Sequence, residues 1–396
     1  MVEIYMMFFP APRIAIGLSA AVSLIALQVT AANAFDPTGN EVADAFLSVL
    51  DAQEGTVESY GSVSESGNAV TIQQLVIKDE NDKDTSVTIA STVLTGGEFL
   101  DNGRLKLESL GLEKLDLNAD DGGMSLETMS VTGLVLPSAK ESAANASPVS
   151  PGYKTFDVKN IQVRDEDGKI ADIQAISSSI DSMDGDLPTA GSFSLSGATI
   201  DVNELEVEEA KSLKDLGYET LTLDVSASGR WDPEAAIINI PELKIDAKDA
   251  ASLSLALSLG GVTREVVEQL EEKSEKPEEA MALLQNVTVI NAKIRLDDET
   301  LTGRILDQEA QKAGVEVPVY VAGLTGSLPL ILGMLQNKEL EGQVAQAVTE
   351  FLTTPGSLQV VAAPATPVPF SQVMGTAMLA PQMIPQILSV GITANQ

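Results

Sequence analysis

Most of the chain between residues 57 and 259 alternates apolar and polar positions with a period of two. Leu253, Leu255 and Leu257 give the clearest case, because only Ser or Ala stands between them. Each such run predicts a β-strand with one buried face. Turns rich in Asp, Asn and Gly separate the runs, at residues 101–103, 120–123, 167–168 and 184–185. Strands joined by such short turns predict an antiparallel meander.

Helical periodicity brackets the strand region. Residues 40–51 carry apolar side chains three and four positions apart, which predicts an amphipathic helix lying over the sheet, with Thr38 or Asn40 as its cap. Three further helical segments follow residue 260. They are residues 262–285, interrupted at Pro277; residues 301–313, ended by Gly314; and residues 328–352, split near Asn337. These helices are predicted to cover one face of the sheet or to close its opening.

The strand region contains an internal similarity. Residues 72–81 align with residues 158–167, and residues 103–107 align with residues 191–195. This predicts two copies of one β module, although chance likeness between two meanders is the alternative. The predicted organisation is residues 1–34, signal peptide; 35–137, helix and first β module; 138–154, flexible linker; 155–260, second β module; and 261–396, a cap of helices and strands.

The first 34 residues have the pattern of a secretory signal. Arg13 precedes an uncharged apolar run over residues 14–29, and Ala32 and Ala34 fit the small-residue cleavage rule. An uncleaved N-terminal anchor is the alternative interpretation. The absence of Cys fits an exported protein that needs no disulfides. We expect a periplasmic or cell-envelope location in a Gram-negative bacterium.

Composition then excludes several function classes. The chain has 58 acidic and 24 basic residues, a net charge of −34, and neither His nor Cys. A thiol nucleophile, an imidazole base and a Cys or His zinc site are therefore impossible. The charge argues against nucleic acid as a partner. Nothing singles out a catalytic carboxylate pair, so we expect a protein that is not an enzyme and has no cofactor.

The acidic turns and the single tryptophan need a structural interpretation before a functional one. Residues 79–84, 165–168 and 181–186 are dense in carboxylates but lack the spacing of a calcium loop, so hairpin tips in water are predicted and no metal site. Calcium binding stays the alternative. Trp231 stands beside turn residues, which predicts a ring packed on the sheet at a strand end.

The C-terminal tail has an unusual composition. Residues 351–396 contain no charged side chain, and six prolines interrupt them. The simpler interpretation is a terminal strand and short helices that complete the core. The alternative is contact with lipid or a membrane, since Met-rich uncharged surface suits apolar contacts.

The pattern resembles the AsmA-like group of bacterial envelope proteins. The resemblance lies in the export signal, in the turn at residues 229–233 leading into residues 237–245, and in the strand at residues 253–259 ended by two glycines. Residues 292–306 and 351–358 are similar to segments of uncharacterised exported proteins. The resemblance implies a β-rich groove in the periplasm and a role in lipid handling or envelope integrity. This chain is shorter and more acidic than the large members, which argues against a bridge between two membranes.

Together these observations predict a mainly β fold with C-terminal helices (α+β), built on an elongated, twisted antiparallel sheet that forms a groove or partial barrel. The groove would bind lipid or another apolar ligand without a covalent step. The candidate lining residues are Leu221, Leu223, Ile238, Ile240, Leu253, Leu255, Leu257, Met374 and Met378. The alternative is a structural or adhesion-type protein whose sheet is fully packed. A continuous apolar cavity would favour the first, and a filled sandwich the second.

Overall fold

The computed structural model describes residues 35–51, 55–79, 85–138, 141, 152–166, 168–204, 208–272, 282–333 and 337–396. The fold is mainly antiparallel sheet, with 51% strand, 29% helix and the helices concentrated toward the C-terminus, which confirms the predicted fold class. The predicted signal peptide lies outside the described residues, as does most of the predicted linker.

Two compact units make up the chain. The first comprises residues 1–188 and 193–204, and the second comprises residues 189–192 and 205–396. This division falls inside the predicted second β module. Its first strands are therefore grouped with the first module, and its last strands with the C-terminal helices.

The first unit is a meander of strands preceded by one helix, α1 (Glu41–Asp51). The strands are β1 (Gly55–Ser59), β2 (Ser62–Ser66), β3 (Ala69–Asp79), β4 (Ser86–Thr95), β5 (Glu98–Phe99), β6 (Leu105–Ala119), β7 (Gly122–Leu136), β8 (Thr155–Asp165), β9 (Gly168–Asp184) and β10 (Leu187–Asp201). β3, β4, β6, β7, β8 and β9 pair in that order, always antiparallel. β1 and β2 both pair with β3, β5 pairs with β6, and β10 with β9. The predicted meander is confirmed.

Helix α1 is capped and buried as its sequence indicates. The Asn40 side-chain oxygen accepts hydrogen bonds from the backbone N–H groups of Val42 and Ala43, each at 3.1 Å. These bonds satisfy two donors that a helix N-terminus leaves without a partner. Phe46 and Leu50 are among the side chains that the helix buries where it packs against β1 and β3. Asn40 is therefore the cap.

The buried face of this sheet departs from a strict period of two. In β3, Val70 and Ile72 are buried, and the next buried pair is Leu75 and Ile77. The three-residue step occurs at Gln74, whose φ is +54°. A residue in this left-handed conformation acts as a bulge and changes the face on which the following side chains lie. The strand thereby keeps its apolar residues on one side of a bent sheet.

The same step recurs along a line across the sheet. Lys114 in β6 and Asn160 in β8 have φ values of +52° and +54°, and buried apolar residues flank each of them with the same three-residue step. Pairing places Gln74, Lys114 and Asn160 in one row, alternating with residues of β4, β7 and β9. At this row, each of the two paired strands has one residue without a pairing partner. The pairing therefore continues in the same register on the other side of the row.

Within this unit, an ion pair joins Arg104, immediately before β6, to Glu141 in the segment after β7. The Arg104 guanidinium donates to both carboxylate oxygens of Glu141 at 2.7–3.1 Å, and the backbone N–H and hydroxyl of Ser138 donate to the same carboxylate at 2.9 Å. These hydrogen bonds, that of Arg104 above all, lower the pKa of Glu141 from 4.5 to about 2. The carboxylate is therefore held in its charged form.

We expect this contact to weaken only in strong acid. Because the pKa of Glu141 is lower in the folded protein than in the unfolded chain, its contribution is complete above pH 4.5 and is lost as the pH falls toward 2. Carboxyl NMR titration should give a Glu141 pKa of about 2 in the wild type. Arg104→Met should bring it back toward 4.5, while Arg164→Met, which removes the partner of Asp116, should leave it unchanged. A Glu141 pKa that is the same with and without Arg104 would contradict this assignment.

The second unit combines strands with most of the helices. Its elements are α2 (Glu208–Asp215), β11 (Thr220–Asp232), β12 (Ile237–Ala247), β13 (Ala251–Gly260), α3 (Arg264–Glu272), β14 (Thr288–Asp298), α4 (Leu301–Ala313), α5 (Val317–Leu332), α6 (Lys338–Thr353), β15 (Ser357–Ala362), β16 (Val368–Pro369), α7 (Phe370–Leu379), α8 (Ile384–Ile387) and β17 (Val390–Ala394). β11, β12, β13, β14, β15 and β17 pair antiparallel in that order, and β16 pairs with β14.

The predicted helices of this unit need one correction. Helix α4 has the predicted bounds, and Gly314 ends it with a φ of +69°. The segment predicted to begin at residue 328 begins instead at Val317, as α5. Its first turns are apolar on all sides and contain Gly323, so helical periodicity does not reveal them. The split near Asn337 is confirmed, since Asn337 caps α6 by accepting from the Leu340 N–H at 3.2 Å. In the predicted helix over residues 262–285, α3 is described and residues 273–281 lie outside.

Candidate functional site

The pairing of the second unit places one apolar side chain beside another across its strands. One row runs through Val225, Ile245, Leu253, Leu296 and Leu358, which are direct partners in successive strands. Directly paired residues point to the same side of a sheet, so such rows form one surface. We call this surface the apolar face. It comprises Leu221, Leu223, Val225, Ala227, Ile238, Ile240, Leu243, Ile245, Leu253, Leu255, Leu257, Ile294, Leu296, Leu358, Val360 and Ile392.

The opposite face of the same strands is polar. The row directly beside the leucines contains Ser226, Lys244, Ser254, Arg295 and Gln359. Charged side chains on this side pair with one another, as in the 2.7 Å contact of Arg295 with Asp297 and the 3.6 Å contact of Lys244 with Asp246. The two faces thus differ in kind. Charged side chains are common on the polar face, whereas Asp298, the partner of Ala251, stands on the apolar side at the end of β14.

Seven of the predicted lining residues lie together on the apolar face, and none of them is buried. Leu221, Leu223, Ile238, Ile240, Leu255 and Leu257 are half-buried, and Leu253 is 45% exposed. Ile294, the partner of Leu255 in the next strand, is 49% exposed. In the first unit the corresponding inward residues, such as Leu75 and Leu107, are completely buried. Apolar side chains left this open favour a binding surface over a closed core.

Helix α6 covers one side of the apolar face. Its Ala347 and Phe351 are buried against Ala394 of β17, and Leu358 and Ile392 pack against the same cluster. Leu296 of β14 also contacts this cluster. The covering therefore follows β15 and β17, whereas Leu253 and Ile294 on the central strands keep much of their surface exposed.

The two methionines of the prediction lie elsewhere in the unit. Met374 and Met378 are on α7, which packs against β16 and the turn at residues 284–286 instead of contributing to a strand row. Met378 is 83% exposed. Leu243, Ile245, Ile294 and Val360 belong to the apolar face although they were not among the predicted lining residues. The alternating runs of β14 and β15 carry the signal that would have identified Ile294 and Val360.

Trp231 stands at the end of β11 and is buried, as predicted. Its indole N–H donates to the carbonyl oxygen of Val262 at 2.8 Å. It is the partner of Ile238 in β12, which places the ring at the end of the apolar face. The ring closes this end of the surface and has its hydrogen bond satisfied within the chain.

Polar chemistry is sparse among the described residues. They contain no group of three or more carboxylates placed to hold a metal ion, while residues 80–84 and Asp167 of the acidic turns lie outside the description. The side chain of Asp165 accepts from the Gly168 N–H at 2.9 Å, which is a turn-forming contact. A shallow polar depression near Arg295 and Asn395 has its groups bonded within the chain, since Asn395 accepts from Ser357 and donates to Thr354.

Exposed apolar side chains also occur on the helices of this unit. Leu330 in α5 is 84% exposed, and Leu379 in α7 is 89% exposed. None of the described helices is by itself long and apolar enough to cross a bilayer, whereas α4 and α5 pass that test together with a bend of 94° between them.

A family profile described as "Uncharacterized protein" matches residues 244–395. The match begins within β12 and extends to the end of β17, so it includes most strands of the apolar face and helices α3 to α8. Comparison with curated proteins gives no significant match.

Proposed function

We propose that the protein is a non-enzymatic exported envelope protein that binds lipid acyl chains, or an apolar ligand of similar shape, on the apolar face. The observation that carries the proposal is the set of uncharged aliphatic side chains in adjacent rows across the central strands, of which Leu253 and Ile294 are about half exposed. Burial of apolar surface is worth roughly 25 cal/mol per Å², so an acyl chain laid on this face gains stability without any polar contact.

Two features of the sequence support the same proposal. The N-terminal segment has the pattern of an export signal, and residues 351–396 are uncharged. Exposed Met378 and Leu379 belong to that tail, which suits contact with the membrane that would supply a lipid. The resemblance to AsmA-like proteins is in keeping with lipid handling. The proposal names no protein partner.

A structural or adhesion-type role is the second candidate, and the first unit favours it. The sheet of that unit is closed, with Ile72, Leu75 and Leu107 completely buried. A face of this kind has no room for a ligand. If the apolar face of the second unit were also fully packed in solution, contacts with protein partners would lie on the acidic exterior.

Leu255→Asp is expected to reduce binding of a fluorescent fatty acid at least about tenfold, because a carboxylate among acyl methylenes is costly to desolvate. The matched control is Ser254→Asp, which places the same charge on the opposite face beside its partners Lys244 and Arg295. Titration is done on protein purified without detergent from an envelope fraction, with native mass spectrometry for lipid that co-purifies. A wild-type protein that neither carries lipid nor takes up the fatty acid would contradict the proposal, as would equal losses in both variants.

A further inference from the structure

Helix α5 leaves an apolar surface open on most of its circumference. None of its sixteen residues is charged, and the uncharged stretch continues to Asn337. Val321 is the one buried side chain of the helix. The helix packs against α4 and α6 on one side, while Leu330 and Ile331 are 84% and 58% exposed on the others.

The sequence of α5 is poorly suited to a helix standing in water. Gly323, Gly326 and Pro329 lie inside it, and these are the residue types that weaken a helix in water most. A helix in a soluble protein usually gains its stability by burying an apolar stripe, whereas α5 fully buries Val321 alone and leaves Val317, Leu328 and Leu332 half-buried. Helices in lipid tolerate Gly and Pro more readily. The composition therefore favours an apolar surrounding.

The hydroxyl groups of Thr325 and Ser327 are satisfied inside helix α5. The Thr325 hydroxyl donates to the carbonyl oxygen of Val321 at 2.9 Å, and the Ser327 hydroxyl donates to that of Leu324 at 2.7 Å. Such bonds back to the preceding turn remove the need for water around Ser and Thr. They also leave few groups for a protein partner, whose interfaces carry about one hydrogen bond per 100–200 Å². Contact with lipid hydrocarbon requires no hydrogen-bonding groups on the helix surface.

Net charge further restricts what can cover the exposed apolar surface of α5. The chain carries a net charge of −34, so a second copy and a membrane rich in anionic lipid are both repelled at long range. A bilayer whose headgroups are electrically neutral is not repelled. We propose that α5 lies in the interface of a bilayer of neutral phospholipid, with Leu330 and Ile331 among the acyl chains. This contact does not depend on ligand binding at the apolar face.

A single environment-sensitive label tests the contact, since the chain has no cysteine. Leu330→Cys labelled with a nitrobenzoxadiazole dye should show a several-fold rise in emission with phosphatidylcholine vesicles, and quenching by spin labels on the acyl chains. Phe99→Cys, an exposed apolar position of β5 in the first unit, serves as the matched control and should not respond. No response at position 330, or an equal response at both positions, would overturn the proposal. So would a rise without vesicles that grows with protein concentration, because it identifies a second copy as the occupant.

Vesicle flotation separates this contact from ligand binding. Leu330→Asp should weaken flotation with phosphatidylcholine vesicles by at least about tenfold and leave fatty-acid binding unchanged. Leu255→Asp should do the opposite. Anionic phosphatidylglycerol added to the vesicles should weaken binding at low salt, and salt should restore it. Flotation that survives Leu330→Asp, or that strengthens with anionic lipid at low salt, would overturn the proposal.

Discussion

Leu107→Ala is expected to lower the free energy of unfolding by about 3–4 kcal/mol, whereas Leu253→Ala lowers it by less than about 1 kcal/mol. Both leucines stand in strands and are paired with a leucine of the neighbouring strand. Leu107 is completely buried, so its removal leaves a cavity. Leu253 is 45% exposed, so its removal takes away contacts on one side only.

Urea unfolding measures the two costs. Far-UV circular dichroism follows both units, and the fluorescence of Trp231, the one tryptophan of the chain, reports on the second unit. A loss of 3 kcal/mol or more at Leu253, by the same scale as Leu107, would mean that the apolar face is packed in solution. That result would contradict the proposed ligand surface and favour the structural role.

The strands and their turns could be predicted because both signals are local. Alternation of apolar and polar residues located β13, and Asp and Gly located the hairpin between β6 and β7. Helix α1 followed from spacing, and residue type indicated Thr38 or Asn40 as its cap, of which the structure uses Asn40. These features depend on a few neighbouring residues, which the sequence displays directly.

The row of face changes in the first unit could not be predicted in this way. Gln74, Lys114 and Asn160 are ordinary polar residues, yet each adopts a positive φ. A glycine in the sequence would have indicated a position of positive φ, whereas Gln, Lys and Asn are compatible with a regular strand. Their conformation follows from the register of neighbouring strands, since the three residues lie in one row across the sheet.

The sequence could not decide between a groove and a fully packed sheet. β6 and β13 show similar alternation, but Leu107 is completely buried and Leu253 is not. The difference lies in what covers each strand, and the covering helix α6 reaches β15 and β17 more than β13. The sequence thus predicted that the strand leucines share a face. The extent to which the helices cover that face became visible only in the fold.

Gly122→Ala is expected to destabilise the first unit by about 3 kcal/mol or more. Gly122 opens β7 with a φ of +143°, a conformation that essentially only glycine adopts. A Cβ there would also run into the carbonyl oxygen of Arg164 and come within 2.8 Å of the Asp165 Cα. Because both atoms belong to the backbone of β8, no side-chain rotation relieves the contact. The substitution must therefore strain β7 or separate it from β8.

Gly168→Ala provides the matched comparison. Gly168 opens β9 after a similar acidic turn and has a φ of +144°, but a Cβ there meets nothing within 4 Å. Its substitution should cost only the backbone strain, about 1–3 kcal/mol. Thermal unfolding of both variants measures the difference, which isolates the steric part of the effect. Equal losses would show that φ alone requires glycine at Gly122. A larger loss at Gly122 would show that the close approach of β8 to the β6–β7 hairpin depends on the missing side chain.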